Sequence, residues 1–371
     1  MAKSAIFSLW LNISLYLGIL GLHVSHAQLV PALYIFGDST ADVGTNHYLP
    51  DSKARADFLY NGIDFPHSKP TGRFSNGYNT IDWIAQFMGF DQSPPPYLSF
   101  SGSNISQFLI RTVPTKGVNF ASGGSGILNC TGQKQWGRVI SFGEQVQQFS
   151  IVRSNISELL GGSAVANFSK SLFIISVGSN DIFEHFAANT SNCTGTAGRD
   201  YITTLISNYE THLRNLFELG ARRFGIVSVG AIGCCPIQRN ASETGDCLDI
   251  MNVDAQLFYT ALRGLLSKLS SECKGFLYAL GDAYKMSKNI IDHPHKSVFT
   301  ELKKACCGKG KWNAQSPCRP DSKLCGDRTT HLFWDQFHPT ATASSLAAYG
   351  LYTGPQPLLV PMNFVELALL P

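Results

Sequence analysis

The 371 residues contain no Cys-x-x-Cys pair, so the ligand spacings of structural zinc sites are missing, and His293-Pro294-His295 stands alone in a loop-like stretch. No basic run interleaved with aromatics occurs, and a formal charge of +3 gives no reason to expect nucleic acid as a partner. Lys303, Lys304, Lys309 and Lys311 form a modest basic patch among cysteines and glycines, which reads as a solvated loop. There is no internal repeat, no heptad pattern and no long low-complexity tract. Beyond residue 27 no apolar stretch is long enough to cross a bilayer, so no membrane span is expected in the mature chain. The glycine-rich segment 117–127 has no Lys-Ser/Thr after it and does not meet the G-x-G-x-x-G spacing, which excludes a phosphate loop. Neither metal nor cofactor is implied.

What is present allows a large core: 44% of residues are hydrophobic and 11% aromatic. The N-terminus reads as a targeting segment. Lys3 supplies the positive start, residues 6–22 are apolar, and Ser25-His26-Ala27 places small residues at the two positions that signal peptidase inspects. Residues 1–27 are therefore expected to be a signal peptide and residues 28–371 one domain, with no linker inside it. Ten cysteines, an even number, suggest disulfides in an oxidising compartment without specifying their connectivity. Sequons at Asn104, Asn129, Asn155, Asn167, Asn189, Asn192 and Asn240 agree with secretory entry, with partial occupancy expected. The destination is secreted or lumenal: cell wall, vacuole or another compartment of the pathway.

Continuous apolar runs at 32–36, 172–177, 224–229 and 276–280 suit parallel strands covered on both faces. Between them, residues 200–219 and 253–269 carry apolar side chains at helical spacing. Strand, helix, strand in alternation predicts a three-layer α/β/α sandwich around a mostly parallel sheet. In such sheets the working loops emerge at the carboxyl ends of the strands. Ser39 follows the first run, and Gly178-Ser179-Asn180-Asp181 follows the second.

A serine where a buried strand breaks into a turn can present its hydroxyl and its own N–H to the same space, as a nucleophile that also binds an oxyanion must. It needs a base and an orienting group. Asp335-Gln336-Phe337-His338 supplies both, because a carboxylate three residues before a histidine can reach Nδ1 and leave Nε2 free. The glycine-rich segment 117–127 can bring bare N–H groups to a ligand, and the Asn180 amide can donate to a negative oxygen. No G-x-S-x-G elbow exists, so this is not the α/β-hydrolase design.

In this order these segments resemble the plant secreted branch of the GDSL (SGNH) esterase/lipase family, over nearly the whole mature chain from Pro31 to about Leu367. The stretches 70–77, 233–236 and 305–308 belong to the same likeness. The resemblance implies a flavodoxin-like SGNH hydrolase fold and a secreted serine ester hydrolase acting on a small-molecule ester or lipid. It assigns Ser39 as nucleophile, His338 as general base and Asp335 as its orienting carboxylate. The oxyanion donors it implies are Ser39 N–H, Gly124 N–H and the Asn180 amide. Asp38 and Asp181 are expected to be structural, and Arg73 and Asn76 to shape the pocket floor. Two departures stand out: the eponymous leucine is Thr40, and the usual Gly-Asn-Asn reads Gly44-Thr45-Asn46. The same acyl-enzyme could pass its acyl group to an alcohol, as in the family's acyltransferases. A non-catalytic secreted binding protein is the reading from another class, and every member of the triad argues against it. Oligomeric state is left open.

Overall fold

In a strand, successive side chains point to opposite faces, so an apolar run without polar interruptions must be covered on both sides. The computed structural model describes residues 27–100, 112–161, 167–188 and 199–371. The expected leader lies almost wholly outside the described residues, as do Asn104, Asn189 and Asn192. In chain order the first half comprises β1 (Leu33–Gly37), α1 (Thr80–Phe87), β2 (Gly117–Asn119), α2 (Phe142–Leu160), β3 (Leu172–Ser176) and α3 (Ser179–Ala188). Then come α4 (Arg199–Glu218), β4 (Arg223–Val227), α5 (Asp249–Glu272), β5 (Leu277–Gly281) and α6 (Ala283–Asp292). A cysteine-rich stretch follows, with short strands β6 (Glu301–Ala305), β7 (Cys307–Gly308), β8 (Lys323–Leu324) and β9 (His331–Phe333). The chain closes with α7 (Ala341–Thr353), β10 (Leu359–Val360) and α8 (Phe364–Leu369).

Tyr34 and Phe36 of β1 share one cluster with Phe173, Ile175, Phe224 and Ile226, covered by α2, α4 and α5. Leu33 and Ile35 share the other with Leu172 and Ile174, covered by α1, α7 and α8. The result is the expected three-layer α/β/α arrangement. The sheet order is β10-β5-β4-β3-β1-β2, with β2 to β5 parallel and β10 antiparallel to β5. Read from the other edge, β2-β1-β3-β4-β5 is the flavodoxin-like order. Among the described residues no helix is long and apolar enough to cross a membrane.

Strand positions shift from the apolar runs by a residue or two, and α5 starts four residues before the stretch 253–269. Disulfides join Cys234 to Cys247, Cys306 to Cys325 and Cys307 to Cys318; Cys130 is also disulfide-bonded. Cys235 and Cys273 are free thiols. The basic patch is not simply a solvated loop. Lys303 and Lys304 lie on β6, with the Lys303 ammonium 5.8 Å from the Trp312 ring centroid, Lys309 paired with Asp321, and Lys311 donating to Ser242 O.

Candidate active site

The strand order reverses between β1 and β3, and open α/β sheets bind ligands outside the carboxyl ends at that switch point. The turn carrying Ser39 leaves β1 there. Gly37 ends the strand with φ near 150°, and a Cβ on it would lie 2.2 Å from Ser176 O, so only glycine fits. Gln145 of α2 holds both polar groups of Gly37: its Oε1 accepts the Gly37 N–H at 2.8 Å and its Nε2 donates to Gly37 O at 2.8 Å. Asp38 N–H donates to Ser176 O, while Ala41 and Asp42 donate to Asp38 O, which closes the turn around Ser39. The Thr40 N–H and hydroxyl both donate to Asp38 Oδ1, and Thr40 Oγ1 lies 2.9 Å from Ser176 Oγ. Burial pushes the Asp38 carboxyl above its ordinary range, against the pull of these Thr40 bonds and of His338. Thr40 therefore ties the turn to β3 with a hydroxyl that leucine lacks.

His338 follows β9 in a tight turn. Asp335 Oδ1 accepts the N–H groups of Phe337 and His338 at 2.9 and 2.8 Å, and both carboxylate oxygens lie 2.8 Å from His338 Nδ1. Burial pushes the Asp335 carboxyl up, but the adjacent His338 and the two N–H donors outweigh it and hold the group below its ordinary range. A carboxylate only accepts, so Nδ1 carries the proton and Nε2 is left as the acceptor. His338 Nε2 lies 2.7 Å from Ser39 Oγ. The Phe74 ring, 5.0 Å away, flanks the imidazole. Trp334, fully buried, donates its N–H to His338 O and its indole to Asn61. Cys306 and Cys307 donate to Phe333 O and Trp334 O, so the disulfide-linked stretch braces this turn.

The other two segments close on the same space. Gly124 has φ +79°, and a Cβ there would sit 2.7 Å from Trp136 Cδ1. The N–H groups of Ser39 and Gly124 find no acceptor among the described residues. Asn180, in the first turn of α3, spends one amide hydrogen on Ser125 O at 2.9 Å and keeps the second. Next to it, Asp181 accepts the N–H groups of Ile127 and Leu128 and the Thr131 hydroxyl, which ties the glycine-rich loop to α3. Burial pushes its carboxyl up to about 6 against those donors. Ser39, Gly124, Asn180, Asp335 and His338 all line one cavity of about 940 Å³.

Two expected pocket residues are elsewhere. The Arg73 guanidinium is buried on Asp82 at 2.6 and 2.8 Å, and Asn76 Oδ1 accepts the Ala341 N–H at the start of α7. Neither lines the cavity; Phe74, between them in sequence, does. Both polar side chains are consumed by framework bonds. Conversely, Gln145 and Asp42 had no distinguishing motif. Asp42 accepts from Gly44, Thr45 and Gly123, and burial raises its carboxyl to about 6. Gln145→Leu leaves the buried Gly37 N–H without an acceptor, and should lower the unfolding free energy by about 1–3 kcal/mol in urea titrations. Of the described sequons, Asn129 is exposed and Asn155, Asn167 and Asn240 are half-buried. Asn240 Oδ1 is buried without a hydrogen-bond partner among the described residues.

A family model described as GDSL-like Lipase/Acylhydrolase matches residues 33–351, a span that contains all five of these site residues. Three Arabidopsis thaliana proteins are similar over nearly full length. GDSL esterase/lipase At5g55050 is 39% identical over 348 residues, covering 91% of this chain and 90% of its own. GDSL esterase/lipase LTL1 is 37% identical and GDSL esterase/lipase At4g16230 36% identical, each covering 91% of both chains.

Proposed function

The chain belongs to the GDSL-like lipase/acylhydrolase family and is a serine ester hydrolase, and we propose that it cleaves carboxylic esters in a secretory compartment through an acyl-enzyme on Ser39. The observation that carries this reading is the unbroken relay from Asp335 through His338 to Ser39, at 2.8 and 2.7 Å, facing the cavity. Ser39 Oγ attacks the ester carbonyl as its proton passes to His338 Nε2. The oxyanion is held by Ser39 N–H, Gly124 N–H and the spare hydrogen of Asn180. The imidazolium, steadied by Asp335, then protonates the departing alcohol. A water enters, loses its proton to His338, and releases the acyl group.

The disulfides and the exposed sequon at Asn129 support passage through an oxidising lumen, after removal of residues 1–27 from a domain of residues 28–371. The test is a fluorophosphonate probe with the labelled peptide mapped by mass spectrometry, alongside turnover of a chromogenic ester. Modification at Ser39 with turnover supports the reading. An unmodified Ser39 in folded protein favours a binding protein instead.

Asn180→Ala should lower kcat by about 10²–10³-fold with little change in KM, since the amide is proposed to meet charge only in the transition state. Steady-state kinetics on one ester decide this. A rise in KM at constant kcat would instead place Asn180 in ground-state binding.

A further inference from the structure

Past the catalytic residues the cavity continues along the carboxyl edge of the sheet, by the ends of β3 and β4 to Ala283 at the start of α6, two residues past β5. Three inter-strand steps separate β1 from β5, about 14 Å at ordinary spacing. This arm runs between α6 and α7. Ala343, Leu346, Ala347 and Gly350 stand at i, i+3, i+4 and i+7 of α7 and so form one stripe, and all four line it. Met286 and Ile290, one turn apart on α6, line it as well. Apart from Leu346 the stripe carries side chains no larger than a methyl group, which leaves space between the two helices.

The two serines in the arm are engaged by backbone groups, and the other polar side chain there, Asn289 of α6, is exposed. Ser228 Oγ accepts the Ala283 N–H at 3.0 Å, and Ser287 Oγ accepts the Ala231 N–H at 2.9 Å while donating to Ala283 O at 2.8 Å. No charged side chain from the end of β4, from α6 or from α7 lines the cavity. Such a passage has little with which to orient a polar ligand, and it gains by taking hydrocarbon out of water.

We propose that this arm holds a long alkyl chain of the ester substrate, and that Gly350, facing Met286, and Ala347, on the same stripe of α7, set the chain length the enzyme accepts. The proposal rests on attack by Ser39, because it measures the chain from that atom. Gly350 is well placed for a test. A Cβ there would meet Met286 Cε at 3.7 Å and Sδ at 3.9 Å, which is ordinary contact. The Cβ of a larger side chain is therefore accommodated beside Met286, which also lines the arm, and leucine favours the helix over glycine.

Gly350→Leu and, independently, Ala347→Leu are compared with the unaltered protein on two substrate series. One varies the acyl group, as para-nitrophenyl butanoate and hexadecanoate. The other varies the alcohol, as butyl and hexadecyl acetate. The expected result is a loss of at least about tenfold in kcat/KM for the long ester of one series, with the short esters held within about twofold. A loss in the acyl series places the acyl chain in the arm, and a loss in the alcohol series places the alcohol there. Unchanged long-chain turnover in both variants, or parallel losses on short and long esters, overturns the proposal. A short-chain fluorophosphonate run on each protein separates the two readings. Absent labelling of Ser39 in the unaltered protein removes the Ser39 mechanism and this proposal with it, whereas intact labelling with unchanged long-chain turnover removes only this proposal.

Discussion

Replacing Ser39 with alanine is expected to lower kcat for ester hydrolysis by roughly 10⁶-fold, the scale on which a serine triad loses its nucleophile. The fold should barely respond. Ser39 is half-buried, and its hydroxyl has His338 Nε2 as its one hydrogen-bond partner among the described residues. Thermal or urea unfolding should therefore stay within about 1 kcal/mol of the unaltered protein. Alanine keeps the backbone N–H at position 39, so the proposed oxyanion donors survive. A residual rate of about 10³–10⁴ over water is the corresponding expectation. Turnover unchanged in folded, purified Ser39→Ala protein would place the chemistry on another residue. Lost turnover together with lost cooperative unfolding would point to the turn rather than to the hydroxyl, which is why both measurements belong together.

What could be read from the sequence was what is local in the chain. Ser39 and Asn180 each sit within a few residues of a strand end, and apolar runs locate those strand ends well. The D-x-x-H spacing directly encodes a contact across one turn. Gln145 is the opposite case. It lies 108 residues from Gly37, on a helix, and nothing in its neighbourhood says that its amide serves both polar groups of a strand terminus. Arg73 was misplaced for a related reason. Its sequence block lies beside the cavity, but its guanidinium turns to Asp82, whose carboxylate also accepts N–H groups from Asn79 and Ser93. A buried cation goes to its carboxylate, and a block match cannot see that partner. The antiparallel β10 was equally hidden, being two residues long and paired with β5 far from it in sequence.

Asp335→Asn should cost about 10⁴-fold in kcat while leaving the turn nearly intact, and the reason lies in the proton on His338. Asparagine keeps an oxygen that can still accept from the Phe337 and His338 N–H groups, as Asp335 Oδ1 does now. Its NH₂ then faces His338 Nδ1, which must accept, so the proton moves to Nε2 and points at Ser39 Oγ. The imidazole is held in place but cannot take the serine proton. The stability profile gives a second, independent readout. Because Asp335 is held below the ordinary carboxylate range in the folded chain, its ionised form stabilises the protein above the unfolded value of about 3.9. That contribution fades as pH falls through the folded value. The gap in unfolding free energy between the unaltered protein and Asp335→Asn should accordingly be widest near neutrality and close in acid, as followed by urea titrations across that range. A gap that stays constant with pH would mean that the carboxylate charge contributes nothing there. A kcat loss near tenfold would mean that His338 reaches its working tautomer without Asp335.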